Sequence, residues 1–234
     1  AQEKKPLPHQ VEFFTAAAPP PEAVLAAMRE AGDGPAFQQQ IFDLIGLPVS
    51  IVDGNEEARL SAQGVLLGWP DAQGIVCDIG GNSMELAYVG GGNVGARVST
   101  PLGPFRLQQV STDATVRAAH IENMLTPALA DLSAAGQRIY LVGGSWRALA
   151  RYAGYRQGWP VDDPHGYVMT PAALLEIAEF LGQTKDKITC PGLSASRAAS
   201  LPDASALLGV LVRKLAPTRL VFSSWGLRDR KSVV

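Results

Sequence analysis

Ile75-Val76-Cys77-Asp78-Ile79-Gly80-Gly81-Asn82-Ser83-Met84-Glu85-Leu86 is the stretch on which the reading of this chain turns. An apolar run ends in Asp78, breaks at Gly80-Gly81-Asn82-Ser83, and resumes as Glu85-Leu86-Ala87-Tyr88-Val89. That pattern predicts two strands joined by a short turn, rich in backbone N–H groups and poor in side chains. Glycine lets a main chain approach a ligand closely, so such a turn can wrap a phosphate. Asp78, at the strand end, is placed to hold a hydrated Mg²⁺ against it. The same residues also fit a plain hairpin whose glycines only make the turn. The local pattern leaves both readings open, and the flanks decide.

Upstream lies Ile51-Val52-Asp53-Gly54-Asn55-Glu56-Glu57-Ala58-Arg59-Leu60, and downstream Leu102-Gly103-Pro104-Phe105-Arg106-Leu107. Further on come Gly143-Gly144-Ser145-Trp146-Arg147-Ala148-Leu149-Ala150, then Pro191-Gly192, then Ser224-Trp225-Gly226-Leu227-Arg228. In this order the blocks resemble the exopolyphosphatase/guanosine pentaphosphate phosphatase (Ppx/GppA) family, whose pattern runs S-G-x-E-E-A-R-L, D-I-G-G-G-S-x-E, L-G-x-x-R-L, G-G-T-x-R-A-L-A, P-G and S-x-G-L-R-E-G. The resemblance spans about residues 36–230. It implies the actin/hexokinase/Hsp70-like superfamily, in which two ribonuclease-H-like α/β domains close over a phosphate chain and a metal.

Removing a terminal phosphate needs a held phosphate chain, a metal to spread its charge, and an oriented water. Gly80, Gly81, Asn82 and Ser83 are the candidates for holding, and Asp78 for the Mg²⁺. Glu57 matches the family's catalytic carboxylate and is expected to act across an interdomain cleft. The alternative for this acidic pair is a helix N-terminus, where carboxylates favour the dipole; Glu56 is read mainly that way. Glu85 corresponds to a second family carboxylate that orders metal or water, its alternative being a solvated strand residue. Gly143-Gly144-Ser145 is a strand-to-helix turn whose amides suit an anion, or else a site of tight packing. Arg106 and Arg147 match family positions that neutralise phosphates, although arginines so placed are often ion-pair partners. Arg197, Arg213, Lys214 and Arg228 are candidates for a basic track along a polyanion. Two departures stand out: Asn82 replaces the third loop glycine, where a left-handed backbone would suit Asn, and Met84 removes a hydroxyl expected near the phosphate.

The implied activity is release of terminal phosphate from inorganic polyphosphate, guanosine pentaphosphate, or both. A kinase-like relative, or a catalytically silent polyphosphate- or nucleotide-binding member, is the alternative. With 47% hydrophobic and 18% charged residues the chain reads as a globular protein. A net charge of −2 offers no global basic field for nucleic acid, so a polyanion must meet a local cluster. No apolar run approaches 18 residues and no signal-peptide layout opens the chain, so a cytoplasmic protein without a membrane partner is expected. The resemblance also allows a homodimer. Cys77 and Cys190 suggest neither disulfide nor metal framework, and His9, His120 and His165 lack metal-ligand spacing.

Periodicity predicts helices over residues 22–31, 37–45, 55–67 (Leu60 and Gly64 inward), 112–132, 145–152, 171–181 and 202–215, the last two started by Pro171 and Pro202. Strands are expected over 47–52, 73–79, 84–89, 93–100, 138–142 and 219–222. Trp69-Pro70-Asp71 is the expected junction between a partial first domain (1–70) and a second, complete one (71–234). The family's first phosphate loop, Asp-x-Gly-Thr/Ser-Asn-Ser, has no counterpart here, and family members usually continue beyond the last block. The 234 residues alone are therefore expected to show little phosphatase activity, and the parent gene product to be active.

Overall fold

The computed structural model describes Arg29 and residues 31–46, 51–132, 137–159, 162–184 and 187–227. The helix expected over 22–31 and the strand over 47–52 fall largely outside these residues, as do His9 and Arg228. The chain divides into two compact units, Ala1–Ile51 and Val52–Val234. In the first, helix α1 (Gly34–Ile45) carries Pro35 in its opening turn, where a missing N–H costs nothing.

In the second unit, helix α2 (Gly54–Gly68) leads into strands β1 (Gly74–Ile79), β2 (Met84–Gly90) and β3 (Asn93–Thr100). Helices α3 (Pro104–Val110) and α4 (Ala114–Ala128), strand β4 (Arg138–Val142) and helix α5 (Gly144–Arg156) follow. Strand β5 (Val168–Met169), helices α6 (Pro171–Gln183) and α7 (Ala195–Leu215), and strand β6 (Arg219–Ser223) complete it. The six-stranded sheet runs β3-β2-β1-β4-β6-β5. β1, β2 and β3 form an antiparallel meander, β4 and β6 run parallel to β1, and β5 closes the edge antiparallel to β6.

Side chains alternate across a strand, and here the alternation sorts two unequal layers. Ile75, Cys77, Ile79, Met84, Leu86, Ile139, Leu141 and Phe222 face a large core filled by α3 to α7. Val76, Ala87, Val89, Tyr140 and Val142 face the other side, covered by Ala58, Ala62 and Val65 of α2. The expected junction at Trp69-Pro70-Asp71 thus lies inside a unit in which α2 packs on the same sheet. The inward stripe of α2 is Glu57, Ala58, Ser61, Ala62, Gly64 and Val65. Leu60, expected to face inward, is only half-buried.

Two helices start elsewhere than expected. α7 begins at Ala195, capped by the Ser194 hydroxyl on Arg197 N–H, and runs through Pro202. Pro202 therefore lies within the helix instead of opening it: the Ser194 cap supplies a start signal seven residues earlier. α4 begins at Ala114 because Asp113 Oδ1 accepts from the N–H groups of Thr115 and Val116. Asp203 of α7 is buried and bonded to Arg117 Nε (2.9 Å) and Gln108 Nε2 (3.1 Å). One carboxylate thereby ties α3, α4 and α7 together. Among the described residues no helix is long and apolar enough to cross a membrane.

Candidate active site

The antiparallel register sets Asp78 directly opposite Glu85, so both side chains leave the sheet on the α2 side. Asp53 caps α2, accepting from Glu56 N–H at 2.8 Å, and fixes where its first turn begins. Glu57 and Ser61, four residues apart, then share the helix face that meets the sheet. Ser61 Oγ donates to Asp78 Oδ2. Ser99 of β3 donates to Glu85 Oε1 at 2.8 Å, and Ser83 of the loop bonds Glu85 as well.

Glu57, Asp78 and Glu85 are only 7%, 7% and 5% exposed. Such crowding has an electrostatic signature. Burial first, then the charges of Asp78 and Glu57, push the Glu85 carboxyl up to about 8, against the opposing bonds from Ser99 and Ser83. Glu85 is thus no solvated strand residue. Glu57 lies on a helix packed on the same sheet as its two partners, where a position across an interdomain cleft was expected. Glu56 behaves differently: it turns outward to Arg59, with contacts of 2.7 and 2.5 Å, and that bond holds its carboxyl below the usual range.

The loop Gly80–Ser83 is closed by Gly80 N–H on Ser83 O at 3.0 Å. Among the described residues, the positive-φ positions include none of Gly80, Gly81 or Asn82. Asn82 therefore occupies the third loop position without needing a left-handed backbone. Met84 is fully buried in the large core on the opposite face from Glu85. Its side chain points away from the carboxylates, so the hydroxyl loss expected from this departure is a matter of core packing.

Two further turns close on this loop. Phe105 N–H bonds Gly81 O at 2.9 Å, and a Cβ on Gly103 would run into the Gly81 and Asn82 backbone. The Leu102–Phe105 motif is a buttress behind the loop, and it brings Arg106 into the first turn of α3 beside it. On the other side Gly143 has φ 111°, and a Cβ there would sit 2.6 Å from Ile79 O and 3.0 Å from Asp78 Oδ1. Glycine is required on both counts.

The Gly143-Gly144-Ser145 turn is also met by a cation. Arg197 of α7 lays its guanidinium against Gly144 and donates to Ser145 Oγ at 3.2 Å. Arg147, one turn into α5, is close enough to Asp163 to help lower its carboxyl, after Ser224 and the His165 N–H. The expected basic track is not continuous. Arg213 and Lys214 lie sixteen or more residues along α7 from Arg197, about 24 Å away at 1.5 Å per residue. Lys214 there pairs with Glu122 at 2.6 Å and Thr126 at 3.0 Å.

Ser61 and Ser99 are not among the residues expected at the site. The signal for Ser61 is a hydroxyl four residues after Glu57 on a stripe with Ala58, Ala62, Gly64 and Val65; Ser99 carries no such signal. His165 is stacked between Trp69 and Trp225, with ring centroids 4.7 and 5.6 Å away. Its Nδ1 accepts from Ser224 N–H, and it has no part in the carboxylate cluster.

The oxygen donors here suit a hard cation. Among the described residues, no three His, Cys, Asp or Glu side chains form a set that would cage a metal directly. Mg²⁺ keeps several waters and takes one or two carboxylates together with substrate phosphates, and Asp78 and Glu85, paired across β1 and β2, are two such carboxylates. The crowding that raises Glu85 is the kind a divalent cation would relieve.

A model of the Ppx/GppA phosphatase family matches residues 25–230. Among solved structures, the Aquifex aeolicus Ppx/GppA family member is 21% identical with a TM-score of 0.75, over 88% of this chain and 70% of that one. A type II variant of the Aquifex aeolicus Ppx/GppA phosphatase gives 20% identity and TM-score 0.70, over 88% and 72% of the two chains. An exopolyphosphatase from Cytophaga hutchinsonii gives 18% and 0.75, over 87% and 70%. At such identities these likenesses establish the shared fold.

Proposed function

The chain belongs to the Ppx/GppA phosphatase family, and on that premise we propose that it is a Mg²⁺-dependent phosphohydrolase that releases terminal phosphate from inorganic polyphosphate, with guanosine pentaphosphate as a second substrate. The observation that carries this reading is the buried pair Asp78 and Glu85 at the loop end of β1, with buried Glu57 close enough for its charge to raise the Glu85 carboxyl.

The residues divide the work as follows. Backbone N–H groups of Gly81–Ser83 hold the penultimate phosphates, with Gly80 N–H closing the loop and Gly103 and Phe105 backing it. The Gly143–Ser145 turn, with Arg197 beside it, binds the chain further along, and Arg106 and Arg147 add charge at either flank. Asp78, with Glu85 beside it, would hold the Mg²⁺, which when bound would supply charge neutralisation at the transferred phosphoryl group. Glu57 accepts a proton from the attacking water as its oxygen bonds to the terminal phosphorus. The bridging P–O bond breaks in line, and the shortened chain leaves with the electron pair.

Incubation of the full-length protein with each substrate and Mg²⁺ tests the reading by orthophosphate release. Release from polyphosphate that stops on chelation is expected. No release from either substrate would overturn it.

A further inference from the structure

We propose that Ser61 is a positioning residue for Asp78, turning the carboxylate so that Oδ2 is held by α2 while Oδ1 is presented beside the Gly143 turn. The inference rests on the proposed role of Asp78 toward a divalent cation. Ser61 is 1% exposed on a helix face that buries Ala58, Ala62, Gly64 and Val65 and whose other polar residue is Glu57. A hydroxyl in such a place is costly unless bonded, and its bond goes to Asp78 Oδ2. The other oxygen, Oδ1, lies 3.0 Å from where a Cβ on Gly143 would be. The two oxygens of one carboxylate therefore face different elements, and the donor that separates them comes from α2.

The choice of serine has an electrostatic logic. Asp78 stands beside Glu85, whose carboxyl also feels the charge of Glu57, so a lysine or arginine at 61 would satisfy Oδ2 but compete with a metal for the site. A neutral hydroxyl orients the carboxylate and leaves its charge intact. Because Glu57 sits one helical turn before Ser61, the seating of α2 sets the water-facing acid and the metal-facing acid at the same time.

Mn²⁺ binding by the full-length protein, titrated without substrate, tests the role separately from turnover. Ser61→Ala should weaken Mn²⁺ affinity by about tenfold, as loss of an outer-shell partner does. It should add nothing once Asp78→Asn is present, because both changes would remove one interaction. Ser61→Thr and Ser61→Val share a shape and differ in the hydroxyl, so Thr should keep the affinity and Val lose it, even if the alanine variant folds poorly. Equal affinity in the Thr and Val variants, or an undiminished loss in the Asp78→Asn background, would overturn the inference alone. A wild-type protein that binds no Mn²⁺ would overturn the metal reading and the inference with it.

Discussion

Glu85 takes up its proton near pH 8 in the folded chain, against an ordinary 4.5, and the sign of the consequence is definite. Between those values the folded state keeps a proton that the unfolded chain has lost. Its contribution to stability is full below 4.5 and disappears as the pH rises through 8. In chelator, melting temperatures of wild type and Glu85→Gln should coincide near about pH 4.5, with the variant more stable at about pH 9; parallel curves would show that Glu85 is not crowded. Glu57→Gln addresses chemistry instead. It should lower turnover by about 10²–10⁴-fold with KM nearly unchanged, as loss of a general base does. Asp78→Asn should raise the Mg²⁺ concentration needed for half-maximal rate. Similar small effects from both changes would mean that the roles are misassigned.

At the level of elements, the candidate site is where several turns meet: the β1–β2 loop, the start of α3, and the β4–α5 turn. Gly103 is the tightest of these contacts, because a Cβ there would lie 2.2 Å from Gly81 O and 2.5 Å from Asn82 N, backbone atoms that cannot swing aside. Gly103→Ala should therefore destabilise by about 1–3 kcal/mol, in the range of overpacked cores, and weaken orthophosphate or polyphosphate binding as the loop shifts. Denaturant unfolding and a binding titration would measure the two together; a variant with native stability and affinity would show that α3 is no buttress. Asp203 supports the same arrangement from below, since its bonds to Gln108 and Arg117 hold α3 against α4 and α7.

Across the molecule, what the sequence made legible was local. A continuous apolar run announced β1 and its resumption after the break announced β2, glycines announced the loop, and the order of motifs pointed to the family. The alternation of side chains along a strand already placed Met84 on the face opposite Glu85, so its burial was readable in principle. Contacts between distant segments were not readable: Ser61 reaches Asp78 across seventeen positions, and Arg197 reaches Ser145 across fifty-two. Nor did Pro202 reveal that α7 starts earlier, since a proline marks a first turn only when no better cap precedes it.

The Trp69–His165–Trp225 stack has an optical consequence. Trp69 caps the far end of α2, the helix that carries Glu57 and Ser61, and its indole lies against an imidazole, a neighbour that quenches emission. If α2 lifted from the sheet, Trp69 would leave that ring and brighten. The fluorescence of a variant with Trp146 and Trp159 replaced by phenylalanine would then report how firmly the helix is seated, without any label. Emission that rises in Ser61→Ala before global unfolding would show that the serine's bond also fastens the helix.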